Sequence, residues 1–289
     1  MRDISNVAGK IDLHMHTTVS DGTDTPALLV QNVRDAGIKV FSVTDHDAVK
    51  SAGIIRPLLG DGDPAFIPGV EFSCRDDGGK YHILGYGFDP ESTAVRYVVE
   101  HGHSIRMKKV TARLEFLKSE FGFVFPKEDV DKLLSLDNPG KPHIGNLMVR
   151  HGFADTKENA INNYINRIRF TDEYIGPKEA ISGIVAAGGI PVLAHPFYGS
   201  GDELIIGGDM EKRLLRLIEC GLRGIEAYYS GFSEKMCGEA LSLAERFDLY
   251  VTAGSDYHGG NKLVKLGDTG LSAESEYPKG LRRFLEAVL

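Results

Sequence analysis

The sequence predicts an α/β chain: a closed or nearly closed barrel of about seven mostly parallel strands, interrupted by one long all-helical insertion. Three observations carry that prediction. Short apolar runs of strand character alternate with stretches of helical character, the pattern of parallel strands covered by helices. That rhythm stops between about Glu91 and Tyr174 and then resumes. Histidines and carboxylates recur just after the apolar runs. Barrel enzymes collect their sites at the C-terminal ends of many strands, whereas an open sheet binds at a single switch crevice.

The 289 residues fit a single α/β barrel, and 42 % hydrophobic with 26 % charged residues is ordinary for a soluble globular enzyme. No apolar run approaches the length of a membrane span. The N-terminal Met-Arg-Asp-Ile-Ser lacks the apolar core of a secretory signal. Cys74, Cys220 and Cys237 are odd in number and show no C-x-x-C spacing. They argue against a disulfide framework or a Cys-rich zinc site, and a reducing cytoplasm is the expected location. A net charge of −8 argues against a nucleic-acid coat, which needs Lys and Arg to neutralise phosphates. Residues 91–175 nonetheless hold thirteen Lys and Arg against twelve Asp and Glu. A substrate-facing lid and an accident of composition both fit that balance.

The first element is set by Ile11, Leu13 and Met15 alternating with Asp12, His14 and His16. A period of two reads as a strand and projects His14 and His16 to one side. Two neighbouring imidazoles, with Asp21 following at a turn, suit a divalent transition metal, against the alternative of two surface histidines. Asp12 lies on the same side and could orient a ligand imidazole. Pro26 to Ala36 reads as a helix, with Pro26 at its start and Gly37 as its stop. The strand Val40 to Thr44 ends in Asp45-His46-Asp47, whose aspartates support a ligand or simply occupy a turn. A short helix near Val49 to Leu59 follows.

Phe66 to Val70 leads into Glu71, and the turn Asp76 to Gly79 joins this strand to Tyr81 to Tyr86, which carries His82. The hairpin-like join departs from strict alternation. Within 91–175, Val110, Leu114, Leu117 and Phe121 form a packing stripe at helical spacing. Arg106, Lys109 and Arg113 lie on another face, either a solvated surface or a cationic grip. His101 and His103 sit two apart in a helical region, do not share a face, and read as surface residues. His151, without an evident carboxylate neighbour, reads as a surface or cap residue. Pro142 suits a helix start in Lys141-Pro142-His143. Helices then recur at Pro177 to Ala187, about Met210 to Cys220, Ser233 to Phe247 and Lys279 to Val288. They alternate with strands Ile190 to Ala194, Gly224 to Tyr228 and Leu249 to Ala253. Glu226 stands alone in its strand and reads as structural. Tyr228 and Tyr229 are left between base contact and packing.

The strand-end residues are His14, His16, Asp21, His46, Glu71, His82, His195, Asp256 and His258, six of the chain's ten histidines among them. Such a cluster at one barrel mouth needs partners for its charges, and divalent cations supply them. Nine ligands exceed the positions of one ion, so two or three ions are implied.

In order along residues 11–258, several motifs resemble the polymerase and histidinol phosphatase (PHP) family of metal-dependent phosphoesterases. They are the H-x-H pair His14/His16, Thr44-Asp45-His46, Gly69-Val70-Glu71, His82, Ala194-His195-Pro196, and the S-D-x-H of Ser255 to His258. The chain is most similar to the stand-alone branch that includes nucleoside-monophosphate and cyclic-phosphate hydrolases. That branch has a helical insertion and a K/R-P-H element, here Lys141-Pro142-His143. The resemblance implies a distorted (β/α)7 barrel over 1–90 and 176–289, with the all-helical insertion 91–175 as a substrate lid. It also implies two or three ions, Mn2+, Fe2+ or Zn2+. In that scheme His14 and His16 share a first ion with Glu71 and Asp256. Glu71 bridges to a second held by His82 and His195, and Asp21, His46 and His258 hold a third. Histidinol phosphatases place a histidine where Asp21 stands, which weakens histidinol phosphate as a substrate.

The expected activity is metal-dependent hydrolysis of small phosphate esters by metal-activated hydroxide. Nucleotides, nucleoside bisphosphates and cyclic sugar or nucleotide phosphates are the substrates considered. Lys141, His143 and Arg106 are the candidates for gripping a second phosphate or the leaving group. His195 or Asp45 would shuttle a proton. The alternatives are a 3′→5′ exonuclease on short oligonucleotides and a non-catalytic, metal-dependent nucleotide-binding regulatory module. No membrane and no long nucleic acid is expected as a partner.

Overall fold

Seven strands form one sheet in the order in which they occur along the chain. They are β1 (Ile11–Asp12), β2 (Val40–Val43), β3 (Ala65–Asp76), β4 (Gly79–Tyr86), β5 (Ile190–Leu193), β6 (Gly224–Tyr229) and β7 (Tyr250–Gly254). The computed structural model describes residues 10–170, 174–199, 203–272 and 276–289. The N-terminal stretch read for a secretory signal, and residues 171–173 near the end of the expected insertion, lie outside the described residues. Every neighbouring pair is parallel except β3–β4 and β4–β5, so β4 alone runs against the rest. The sheet rolls up until its first and last strands meet. Leu13 N–H donates to Ala253 O (2.9 Å), Asp256 N–H to His14 O (2.8 Å) and His16 N–H to Tyr257 O (2.8 Å).

The residues explain the rolling. All four residues of β2 and all four of β5 are buried, as strands covered on both faces must be. The covering helices are amphipathic. In α1 (Pro26–Asp35) the Thr25 side chain caps Leu28 N–H, Pro26 opens the first turn, and Leu29, Val30 and Val33 face inward. After α2 (Lys50–Ile55) and the β3–β4 hairpin come α3 (Thr93–Phe121), α4 (Lys127–Leu134), α5 (Lys141–Arg150) and α6 (Lys157–Asn163). These four helices enclose a cluster of their own, with Val110, Leu117, Ile144, Met148 and Ile165 at its centre. Then α7 (Pro177–Ala186), α8 (Gly207–Glu219), α9 (Glu234–Arg246) and α10 (Lys279–Val288) alternate with the remaining strands. Leu281, Phe284 and Leu285 of α10 close the barrel's far side. Strand β1 is shorter than its alternating sequence predicts; beyond it, Leu13 N–H and His16 N–H bond the β7 side while Met15 O accepts Thr44 N–H on the β2 side. The three cysteines are free thiols. No helix among the described residues is long and apolar enough to cross a membrane.

Candidate metal centre

All nine strand-end residues of the sequence reading stand at one rim of the barrel. Glu71, 1 % exposed, is at the centre. Its Oε2 is faced by three imidazole nitrogens: His14 Nε2 at 3.2 Å, His16 Nε2 at 3.1 Å and His46 Nδ1 at 3.2 Å. Its Oε1 faces His82 Nδ1 at 2.8 Å and His195 Nε2 at 3.2 Å. Around these, Asp256 Oδ1 lies 3.6 Å from His14 Nε2 and 3.4 Å from His16 Nε2. His258 Nε2 lies 3.3 Å from Asp21 Oδ1. Three groups have ligand atoms close enough to share an ion: His14/His16/Glu71/Asp256, His16/Asp21/His46/His258 and His46/Glu71/His82. His195 joins the third group by its contacts with Glu71 and His82. His46 and His16 each belong to two groups, so the three sets interlock more than the sequence motifs imply.

The hydrogen bonding of the donor set leaves room for a cation. His14 Nε2, His16 Nε2, His46 Nδ1 and Glu71 Oε2 are buried and make no hydrogen bond. Three ring nitrogens cannot all donate to one carboxylate oxygen, and buried polar atoms left unpaired are costly. Ligands held about 2.0–2.2 Å from a common ion stand roughly 3.0–3.4 Å apart, which is the spacing seen here. The residues fit a divalent cation.

The charges point the same way. Burial alone would raise the Glu71 carboxyl, but His46, His14 and His82 outweigh it and hold the group well below the carboxylate range. Burial likewise works against protonated His16, yet Asp256 and Glu71 leave it raised to about 9. Burial keeps His46 and His258 below the usual imidazole range. Protons and carboxylates here share a space that cations fill better.

Supporting contacts explain how the ligands are aimed. Glu226 Oε1 lies 2.9 Å from His14 Nδ1, and its Oε2 accepts the backbone N–H of His195 at 2.7 Å. One buried carboxylate therefore turns two ligand residues at once, and His195 is held at a left-handed φ of +27°. Gly254 makes room for this, because a Cβ there would lie 2.2 Å from His14 Cβ and 2.5 Å from Glu226 Oε1. Asp256 Oδ2 accepts from Tyr229 OH (2.9 Å) and Lys262 Nζ (2.6 Å), which leaves Oδ1 turned to the histidines. Among the described residues Asp12 makes no hydrogen bond to an imidazole ring, the role the sequence reading offered; it accepts the backbone N–H of His14 at 3.3 Å instead. Burial pushes it up to about 6, and it accepts from Ser255 N–H, Ser255 Oγ–H and Gly267 N–H, clasping the loop that carries Asp256. Asp45 accepts from Thr17 N–H (2.7 Å), Thr17 Oγ–H (2.8 Å) and Ser20 Oγ–H (2.7 Å). With its oxygens so engaged, the role its geometry supports is holding the turn before Asp21.

Two cavities open onto this centre and share His46 and His82. The first, about 290 Å³, lies under α3 and the start of α5, and is lined by Lys80, Arg106, Lys109, Arg113 and Lys141. Lys109 and Arg113 are buried, so the cationic face of α3 is not a solvated surface. Lys109 Nζ sits 3.2 Å from the centre of the Tyr174 ring, and Arg113 stacks over Phe170 at 4.9 Å. Arg106 pairs with Asp47, and Lys141 Nζ reaches Asn166 Oδ1 at 2.5 Å. His143 is not among the lining residues; its Nδ1 accepts the Gly140 N–H at 3.1 Å. The second cavity, about 260 Å³, is bounded by His195, Tyr198, Tyr229 and Lys262. His101 pairs with Glu179 and His103 with Asp137 O, away from both cavities. His151, at the end of α5, has the carboxylate neighbour that sequence reasoning missed: Asp129 Oδ2 at 2.8 Å.

No protein-family model matches the sequence. Curated relatives do, over most of their length. A phosphoribosyl 1,2-cyclic phosphate 1,2-diphosphodiesterase of Eggerthella lenta is 28 % identical over 258 residues, covering 86 % of this chain and 94 % of that protein. A 5′-3′ exoribonuclease of Haemophilus influenzae is 26 % identical over 261 residues, 89 % and 93 %. A 3′,5′-nucleoside bisphosphate phosphatase of Chromobacterium violaceum is 26 % identical over 258 residues, 86 % and 87 %. Among solved structures, one assigned as a metal-dependent phosphoesterase from Bifidobacterium adolescentis superposes with a TM-score of 0.80 at 25 % identity, covering 96 % of each chain. The chain is a metal-dependent phosphoesterase similar to these proteins. For this phosphoesterase, the signal that could have exposed Glu226 is its place in an otherwise apolar parallel strand, where a buried carboxylate must have a partner.

Proposed function

We propose that the chain hydrolyses small phosphate esters, namely nucleotides, nucleoside bisphosphates or cyclic phosphates, at two or three divalent cations held by the three interlocking groups. The observation that carries this reading is Glu71, with three unpaired-face imidazoles on one oxygen and two on the other. Cations bound there supply a hydroxide nucleophile at neutral pH and a clamp for phosphate oxygens. The chain's own groups do the rest. Of the two proton-shuttle candidates, His195, beside Glu71 on the tyrosine-lined side, is the one we assign to the leaving oxygen, because the oxygens of Asp45 are taken up by Thr17 and Ser20. Arg106 and Lys141, with Lys80, Lys109 and Arg113, grip a second anionic group, and residues 91–175 act as the lid that brings most of these cations to the centre. Phosphate release should stop in excess chelator and return with Mn2+; undiminished turnover in chelator would refute the reading.

A second reading is favoured by the exoribonuclease relatives: removal of nucleotides from short oligonucleotides. The two cavities, about 290 and 260 Å³, suit one nucleotide-sized group on each side of the ions. Small-ester hydrolysis then requires kcat/KM to fall steeply beyond a dinucleotide. A flat response to chain length would favour the exonuclease, and a label at either end would give its polarity, 3′→5′ as the sequence reading has it or 5′→3′ as in the relatives.

The cationic cavity also sets a pH dependence. Burial, with Arg113 and Lys80 adding repulsion, pushes Lys141 down to about 8. Its charge is present below that pH and is lost as pH rises through it. For a substrate with a second phosphate, kcat/KM should therefore drop above about pH 8. Lys141→Arg should carry activity to higher pH, and a profile the substitution leaves unmoved would remove Lys141 from the grip.

A further inference from the structure

We infer that the helical segment α3–α6 is a working part of the outermost metal position, and that Asn138 and Lys157 are positioning residues for its ligands. This rests on the reading that His16, Asp21, His46 and His258 hold a cation. Two of those four, His16 and His258, are fixed within the barrel: His16 N–H donates to Tyr257 O, and Thr23 N–H donates to His258 O. The other two, Asp21 and His46, are the more exposed members, with side chains 24 % and 15 % accessible. The His46 backbone, which bridges Glu71 of β3, is also held directly from the helical segment, and the Asp21 carbonyl is held from it through Asn261.

Asn138, buried in the connection between α4 and α5, donates its amide to His46 O. The same connection is tied down on both sides, since His103 of α3 bonds Asp137 O at 3.0 Å and Lys50 Nζ bonds Asp137 Oδ2 at 2.8 Å. Next to His46, Asp47 pairs with Arg106 of α3 and accepts Ser73 N–H at 2.9 Å. On the opposite flank, Asn261 donates to Asp21 O at 2.7 Å, while its Oδ1 accepts from Lys157 Nζ of α6 at 3.0 Å. Both exposed ligands thus have a carbonyl held, directly or through Asn261, from the segment that also carries Arg106, Arg113 and Lys141. Occupancy of the outer position and docking of the substrate-gripping helices are then linked, and linkage acts equally in both directions.

The test uses the full chain equilibrated against a series of free Mn2+ concentrations, with bound metal measured by elemental analysis. In Asn138→Ala and in Lys157→Ala, the weakest-binding ion should need about 10-fold or more Mn2+ to load, the scale of losing a support to a ligand. The tighter ions should load as in the parent, and Lys157→Arg should restore the profile. In the unsubstituted chain, amide exchange in α3, α5 and α6 should slow as the weakest ion binds, a readout that survives even if a variant fails to fold. Parent-like loading in both alanine variants, or amide exchange indifferent to Mn2+, would overturn the coupling alone. Absence of Mn2+ binding by the unsubstituted chain would overturn the metal reading with it.

Discussion

Glu71→Gln should lower kcat/KM by roughly 10^3-fold, the scale of losing a principal electrostatic group, and should cost at least one bound ion per chain. The side chain is isosteric and 1 % exposed, so packing around β3 is kept. What changes is the donor pattern. Five imidazole nitrogens lie within 3.2 Å of its two oxygens, and an amide would turn two hydrogens toward some of them. It would also remove one of the three carboxylates, with Asp21 and Asp256, that balance the cations. Elemental analysis and steady-state kinetics on the same preparation check both halves. Parent-like metal content would mean that Glu71 does not bridge.

Glu226→Gln should weaken metal binding and activity by about 10- to 100-fold while leaving the fold intact. The reason lies in proton placement. Glu226 Oε2 accepts the His195 backbone N–H, so in the variant the remaining carbonyl oxygen is required there. The amide nitrogen is then left facing His14 Nδ1, which must become an acceptor. That tautomer carries its hydrogen on Nε2, the atom pointing at Glu71 Oε2. His14 can no longer offer a lone pair to an ion without breaking the new bond. Metal titration by calorimetry measures the loss, and an unchanged affinity would show that His14 is oriented by something else.

Much of the barrel was legible because its strands are apolar and its helices carry ordinary start and stop signals. Pro26, Pro177 and the inward face of α10 fall where the sequence places them. The metal-ligand types were legible because His and Asp recur at strand ends, where a barrel gathers them. Less legible were residues whose meaning depends on what folds against them. Lys109 and Arg113 look like the exposed side of a helix until Phe170 and Tyr174 cover them. Lys80, in a hairpin, meets Lys141 only through the tertiary fold. Asp12 shares a side with His14, but its oxygens are claimed by Ser255 and Gly267, 243 and 255 residues away along the chain. His151 finds Asp129 only when α4 and α5 pack together.

The closure of β1 against β7 has a bearing on biosynthesis. His14 is made 242 and 244 residues ahead of its companions Asp256 and His258. A ribosome-bound nascent chain therefore lacks a complete cluster until residue 258 has left the exit tunnel. Capture of an ion by His14 together with Asp256 therefore waits on the seam that Asp12 stitches to Ser255.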